Sequence, residues 1–129
     1  PNEGATSGEV LIDGSMEGMG LLHKPIAVRI DGGVLRSLTG DDGKLGVLFE
    51  KEVNGIVGEL GIGTNPAAIL CGNILEDEKA WGTVHIAFGS NTSFGGTNKA
   101  DCHMDGIILK PDLYLDEEKI MEKGRFLIF

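Results

Sequence analysis

The stretch IAVRIDGGVLRSL, residues 26–38, decides what kind of fold this chain adopts. Two apolar runs, 26–30 and 34–38, flank the tripeptide Asp31-Gly32-Gly33. Because Asp-Gly supplies the positive φ that a tight turn between antiparallel strands requires, this pattern predicts a β-hairpin. The first expectation is therefore a fold built on hairpins rather than on long helices.

Short apolar runs bounded by glycine and polar residues continue this pattern along the chain. The 21 glycines are dispersed without a period, which indicates many turns and close backbone approaches. The sequence predicts an α+β, mainly β domain, with a mixed or antiparallel sheet or a barrel-like sheet and one or two helices. Further strands are predicted at 8–13, 56–62, 83–89, 101–109, 113–115, from about 119, and at 125–129.

One helix is expected after the hairpin, because apolar residues recur there at helical spacing between an acidic cap and a glycine stop. A shorter helix is predicted at 66–70, and a turn or helical end at 76–79. The residues that carry the longer helix are Asp41 or Asp42 as the cap, Leu45, Leu48, Phe49 and Val53 as the apolar face, and Gly55 as the stop.

Charge and composition exclude several classes of function. The 129 residues contain 20 acidic and 11 basic side chains, a net charge of −9, which disfavours binding to nucleic acid or to an anionic membrane. No apolar run reaches the 18 residues or so of a membrane-spanning helix. Two distant cysteines, Cys71 and Cys102, are too few for a disulfide framework. We therefore expect a soluble, cytoplasmic protein, with residues 1–7 as a polar linker and 8–129 as the domain.

Two predicted strands place chemically competent side chains on one face. Side chains alternate along a strand, so His85 lies opposite its apolar neighbours in 83–89 and beside small residues. The same alternation puts His103 and Asp105 on one face of the strand 101–109. Imidazole and carboxylate are both metal ligands, and a His-x-Asp pair on one strand face can hold one cation.

Two glutamates on other strands fit the same hypothesis. Glu59 interrupts an apolar run and shares its face with Gly61 and Gly63. A carboxylate in a buried strand is costly unless it is paired or binds a metal, although an edge strand would also accommodate it. Glu9 is a weaker case, because a position on the protein surface explains it better when it is taken alone. The convergence of these residues on the less apolar faces of separate strands predicts a metal site on strand faces.

Five segments resemble the catalytic domain of the thermophilic metallo-aminopeptidases, the aminopeptidase T and aminopeptidase S family. They are GEV at 8–10, ELGIGTNP at 59–66, LEDEK at 75–79, GTVHIAFG at 82–89 and HMD at 103–105. This resemblance covers most of 8–129. It implies two adjacent divalent metals, zinc or cobalt, and a position in the C-terminal part of a longer two-domain chain. It implies the ligands Glu9, Glu59, His85, His103 and Asp105, with Glu78 as the nearest candidate for the general base.

A sister group with the same domain, the ring-cleaving 2,5-dihydroxypyridine dioxygenases, is also similar. Its members bind one ferrous iron through two histidines and an aspartate, and His85, His103 and Asp105 would form that set. The tyrosine of the aminopeptidase metal site has no counterpart here, since Thr92 lies near its expected place. The loss of that tyrosine favours one metal, whereas the retention of both glutamates favours two.

Three functions follow from these resemblances. The first is a metal-dependent hydrolase of the leucyl aminopeptidase type that removes N-terminal residues from peptides, the metal lowering the pKa of a bound water. The second is a non-haem iron dioxygenase of the dihydroxypyridine type. The third is a non-catalytic metal-binding module that serves assembly. The resemblance also implies a homodimer, a peptide as the substrate of the hydrolase, and an N-terminal α/β domain that helps to enclose the substrate.

Overall fold

The computed structural model describes all residues, 1–129, as strands, short helical turns and connecting loops. It is mainly β, as the sequence predicts, and its sheets are open rather than closed into a barrel. None of the helices is long and apolar enough to cross a lipid bilayer. The strands are β1 Gly8–Ile12, β2 Ser15–Met16, β3 Gly20–Leu21, β4 Ile26–Asp31, β5 Val34–Thr39, β6 Val57–Ile62, β7 Val84–Gly89, β8 His103–Ile108, β9 Leu113–Leu115, β10 Glu118–Glu122 and β11 Arg125–Phe126; the α-helices are α1 Gly46–Phe49 and α2 Ile74–Asp77.

The predicted hairpin forms the centre of the first sheet. Strands β4 and β5 pair antiparallel around Gly32 and Gly33, whose φ angles of 57° and 77° lie in the left-handed region that glycine adopts without strain. Strand β1 adds to the other side of β4, which gives a three-stranded sheet in the order β1-β4-β5. The hairpin prediction is thus confirmed.

A five-stranded antiparallel sheet carries the strands that contain the predicted ligands. Its order is β3-β2-β8-β7-β6, so β7 lies between β6 and β8. Strand β7 is buried along its whole length because it has a hydrogen-bonded neighbour on each side and packed residues on its faces. A third sheet, in the order β11-β10-β9, includes the predicted pairing of 113–115 with the strand near Lys119.

The hydrophobic core joins the first sheet to the five-stranded sheet. Ile26 and Val28 of β4 belong to the same buried cluster as Val57, Ile86 and Phe88. Each of these side chains contributes about 1.5–3 kcal/mol when it is fully removed from water. Because the apolar face of β7 is used for this packing, its other face remains available for His85.

The helical predictions are partly wrong. The helix expected from Asp41 to Gly55 is interrupted: α1 covers one turn, Lys51 is extended, and Glu52–Gly55 forms a separate 3-10 turn. Asp41 does accept a hydrogen bond from the Leu45 N–H at 2.8 Å, as a cap. A tertiary contact accompanies the break: the buried Asn54 donates a hydrogen bond to the Leu48 carbonyl at 2.9 Å, and its side-chain oxygen accepts one from the Asp101 N–H at 3.2 Å.

Two further segments differ from the prediction. Residues 66–70 form a turn and irregular backbone instead of a helix, while the helical turn lies at Ile74–Asp77, where Asn73 caps the Leu75 N–H. The last strand ends at Phe126 rather than at 129. Leu127 still donates a backbone hydrogen bond to Ile120 of β10 at 2.9 Å, and Phe129 beyond it packs against Trp81, with ring centroids 5.8 Å apart.

Candidate metal site

Strand register brings the candidate ligands onto one face of three adjacent strands. Glu59 of β6 lies opposite Ala87 of β7, and Ala87 lies opposite Asp105 of β8. His85 and His103 have the same parity as these residues and point to the same side, where they face small partners, Gly61 across from His85 and Gly89 across from His103. The small residues predicted from the sequence therefore leave room for a cluster of polar side chains.

Glu59 joins the two histidines. One of its oxygens, Oε1, lies 3.1 Å from Nε2 of His85, and the other, Oε2, lies 3.0 Å from Nε2 of His103. Glu59 is half-buried and His85 is buried, so these contacts are partly shielded from water. A single carboxylate thus organises both imidazoles.

His103 is oriented by the loop that follows β7. Its Nδ1–H donates to the Ser90 carbonyl at 2.7 Å, because a carbonyl oxygen only accepts. The other nitrogen, Nε2, then faces Glu59 and lies 3.4 Å from Oδ2 of Asp105. Burial lowers the pKa of His103, but the Ser90 carbonyl and the carboxylates of Asp105 and Glu59 outweigh it and raise the pKa overall. A positive charge at this nitrogen is therefore favoured.

Asp105 is a buried carboxyl group with incomplete hydrogen bonding. Only 4% of its surface is exposed, and burial raises its pKa from 3.8 to about 6, with the Glu59 and Glu78 carboxylates adding to the rise and His103 and His85 opposing it. Its Oδ1 atom has no partner, and neither has Nδ1 of His85. Buried polar atoms are nearly always paired, so two orphans in one cluster are unusual.

The donor set fits a divalent cation. Ligand atoms of Glu59, His103 and Asp105 lie within 4.8 Å of one another, and so do those of Glu78, His85 and Asp105. The contacts of 3.0 to 3.4 Å between nitrogen and oxygen match the spacing of neighbouring ligands around one ion, since bonds of about 2.1 Å place them roughly 3.0 Å apart in an octahedron and roughly 3.4 Å apart in a tetrahedron. An ion bound between Glu59, His103 and Asp105 would offset the repulsion between the two carboxylates.

The close approach of His85 to the neighbouring strand depends on glycine. A Cβ atom built at Gly61 would overlap the imidazole ring of His85. The ring therefore lies directly over the backbone of β6, which places Nε2 next to Glu59. This explains why Gly61 follows Glu59 on the same face of the strand.

The remaining predicted residues lie in different places. Glu78 follows α2, where its carboxylate contacts Nζ of Lys79 at 2.5 Å, and it reaches the second of the two groups. Glu9 lies on β1 in the first sheet, exposed and paired in register with Arg29, and it belongs to neither group. The predicted set of His85, His103 and Asp105 does not form a single group. Asp105 belongs to both groups, but His103 belongs only to the one with Glu59 and His85 only to the one with Glu78.

Sequence reasoning missed the loop that closes over the cluster. Asn91 is buried and organises this loop: its backbone carbonyl accepts from Gly96 N–H at 3.0 Å and its side-chain oxygen accepts from Asn98 N–H at 2.9 Å. The ring of Phe94 packs edge-on against His103, with centroids 5.9 Å apart. The sequence signal was the run of polar and glycine residues at 90–98, which is typical of an ordered functional loop as well as of a simple connection.

The loop also borders a cavity of about 460 Å³ that opens beside Glu59. Glu3 also lines this cavity and accepts hydrogen bonds from Asn91 Nδ2 and Thr97 N–H of the loop, each at 2.9 Å. Part of the segment 1–7, predicted to be a linker, is thus fixed to the domain. A cavity adjoining a cluster of convergent polar groups is the usual form of a ligand site.

The sequence has no significant match among models of known protein families or among curated proteins. Its fold resembles the solved structure of a 2,5-dihydroxypyridine dioxygenase from Pseudomonas putida KT2440, with a TM-score of 0.84 and 21% sequence identity. The similarity covers 99% of this chain and 42% of the dioxygenase chain, so the chain spans less than half of that protein's length. The shared fold agrees with the resemblance to the dioxygenases, whereas no comparison supports the resemblance to the aminopeptidases.

Proposed function

We propose that this chain is the metal-binding domain of a non-haem iron oxygenase of the ring-cleaving type. The observation that carries the proposal is the cluster of Glu59, His103 and Asp105, which surrounds one point on a domain whose fold resembles that of a dioxygenase. One imidazole and two carboxylates, with a second imidazole adjacent, form a donor set suited to ferrous iron. The aminopeptidase function expected first from the sequence has less support than this alternative.

The chain's own residues have distinct tasks in this site. The Ser90 carbonyl holds the Nδ1–H of His103, which fixes the tautomer whose Nε2 presents a lone pair to the metal. His85 holds the second oxygen of Glu59 and so limits the positions that this carboxylate can take. Asp105, buried beside them, supplies negative charge, and a bound cation would favour its ionised form and lower its raised pKa.

Glu59, His103 and Asp105 would hold a ferrous ion, which would supply the chemistry that activates dioxygen toward an aromatic diol. The overall reaction is balanced without a further co-reactant, because both atoms of dioxygen enter the product while one ring bond is cleaved. The cavity lined by Glu59 and bordered by the partly exposed Phe94 ring is the place proposed here for a small planar substrate.

A second candidate function has one specific observation in its favour. Asp105 belongs to both candidate ligand groups, and the two oxygens of Glu59 contact different histidines. Shared carboxylates of this kind are typical of sites with two metal ions, which activate water for hydrolysis. A two-metal hydrolase with Glu78 as a ligand or base is therefore the alternative.

Metal stoichiometry and turnover separate these candidates. The chain is loaded with ferrous iron without oxygen, freed of unbound metal and analysed for iron per chain. Oxygen consumption is then measured with 2,5-dihydroxypyridine, and cleavage of leucine arylamides is measured in parallel after loading with zinc or cobalt. One metal per chain with oxygen consumption supports the oxygenase. Two metals per chain with arylamide cleavage would favour the hydrolase, and a chain that stays metal-free would refute both.

The variant His103→Ala provides the control for this experiment. It removes the imidazole that contacts both carboxylates, so metal binding should be lost while the fold is retained. Retention of full metal binding by this variant would show that the ion binds elsewhere. Size measurement of the loaded protein tests the further proposal, carried by the sequence resemblance, that the chain forms a homodimer.

A further inference from the structure

The carbonyl group that orients His103 belongs to a loop residue, Ser90, and not to a strand. It accepts the Nδ1–H of His103 at 2.7 Å. The chain turns out of β7 just before it, at Gly89, whose φ of 110° lies in the region that glycine adopts without strain. The direction of the Ser90 carbonyl therefore depends on what holds the two peptide groups that flank Ser90.

Asn98 holds both of these peptide groups. Its side-chain Nδ2 donates to the Gly89 carbonyl at 2.8 Å, in the peptide group that precedes Ser90. Its backbone carbonyl accepts from the Asn91 N–H at 3.2 Å, and this N–H shares a peptide group with the Ser90 carbonyl. Because the N–H and the C=O of one peptide group lie in one plane, a partner for the N–H also restricts the direction of the carbonyl.

The half-buried Asn98 is itself tied to other parts of the domain. Nδ2 also donates to the Val53 carbonyl at 3.0 Å, in the 3-10 turn Glu52–Gly55, and the Asn98 N–H donates to the side-chain oxygen of the buried Asn91 at 2.9 Å. An amide nitrogen supplies two donors on a short side chain, whereas a hydroxyl supplies one and a carboxylate none. The two carbonyls that meet at Nδ2 thus explain why asparagine stands at this position.

We propose that Asn98 is a positioning residue for the candidate metal site. It fixes the Ser90 carbonyl, which holds Nδ1–H of His103 and so keeps Nε2 directed at Glu59 and Asp105. The inference rests on the proposed function for the identity of what binds there, while the orientation of His103 is measurable without metal. Loss of a group that orients an imidazole ligand lowers metal affinity by about 10- to 100-fold.

The test uses two substitutions of Asn98 and one control. Asn98→Ala removes both donated hydrogen bonds, and Asn98→Asp removes them while it keeps the shape of the side chain. The matched control is Ile30→Val, which removes one methylene group from the buried core of β4, in the other sheet, and lowers stability without a change in the loop. Urea unfolding measures the loss of stability in each variant.

Two measurements report on His103. Exchange of its Nδ1 proton with water is followed by nuclear magnetic resonance of the ¹⁵N-labelled chain in a chelator, which reports the hydrogen bond to Ser90 directly. Cobalt(II) affinity is then determined from the visible absorption of the bound metal. We expect the Nδ1 proton to exchange at least about tenfold faster in both Asn98 variants than in the wild type, and cobalt affinity to fall about tenfold. Ile30→Val should change neither.

Equal effects of Ile30→Val and the Asn98 variants would overturn the proposal, because a general loss of stability would then explain them. Wild-type behaviour of Asn98→Asp would overturn it as well, since the shape of the side chain would then suffice. So would an unprotected Nδ1 proton in the wild type. A proton whose protection depends on Asn98, in a chain that binds neither cobalt nor iron, would support the orienting role of Asn98 and refute the proposed function.

Discussion

Replacing Asp105 by asparagine should stabilise the metal-free protein and abolish its metal binding. In the metal-free fold, burial raises the pKa of this carboxyl group from 3.8 to about 6. A carboxyl group whose pKa is higher in the folded than in the unfolded chain destabilises the fold above that pKa. The cost disappears below about pH 4, where both states are protonated. Asparagine keeps the shape and removes the charge.

The size of the gain in stability follows from the pKa shift of Asp105. A difference of about two pKa units at about 1.4 kcal/mol each gives close to 3 kcal/mol at pH 7.5, an upper limit because water can relax around the charge. At pH 5 the carboxyl group is largely protonated in the folded chain, and the cost falls to roughly half. The free energy of unfolding of Asp105→Asn should therefore exceed that of the wild type by about 1–3 kcal/mol at pH 7.5 and by less at pH 5.

Asp77 provides a matched control, because it is equally buried but fully paired. Its carboxylate accepts hydrogen bonds from the Ser15 hydroxyl at 2.7 Å, the Cys71 N–H at 2.7 Å and the Gly72 N–H at 2.9 Å. Asp77→Asn replaces one accepting oxygen with an NH₂ group, which cannot accept these hydrogen bonds. The variant should therefore lower the free energy of unfolding by about 1–3 kcal/mol.

The assay is urea unfolding of both variants and the wild type in a chelator at pH 5 and pH 7.5, followed by metal titration. If Asp105→Asn destabilises the metal-free protein at pH 7.5 as Asp77→Asn does, Asp105 is a structural group and the reasoning about its buried charge is refuted. If the variant still binds metal with unchanged affinity, its assignment as a ligand is wrong.

Three further predictions concern the cluster and its loop. Ferrous iron at a concentration one hundred times its dissociation constant should stabilise the wild type by about 2.7 kcal/mol; thermal unfolding should show no such gain for His103→Ala, and an equal gain would place the ion elsewhere. Gly61→Ala should displace the ring of His85, lower the free energy of unfolding by about 1–3 kcal/mol and weaken metal binding at least tenfold in a cobalt titration. Unchanged metal affinity would show that His85 is dispensable for binding. Asn91→Ala should destabilise the fold by about 1–3 kcal/mol, because it leaves the Asn98 N–H and one hydrogen bond of Glu3 unpaired; urea unfolding indistinguishable from that of the wild type would contradict this.

The sequence alone predicted the strands of this protein well. The hairpin around Gly32 and Gly33 and the alternation in 83–89 and 103–108 depend on local rules, turn chemistry and a period of two. The same alternation correctly put His103 and Asp105 on one face. Local rules were insufficient for the segment 41–55, because Asn54, which lies just after the break in the helix, is held by the Asp101 N–H of a segment 47 residues further along the chain.

Only the tertiary structure decided which of the candidate ligands lie together. A resemblance in sequence order suggested Glu9 as a ligand, yet β1 pairs with β4 in another sheet, and nothing in the local sequence specifies that partner. The register of β6, β7 and β8 makes Glu59 the carboxylate between His85 and His103. Register depends on contacts between residues far apart in the chain, so one sequence indicates which side chains can bind a metal but not which of them meet.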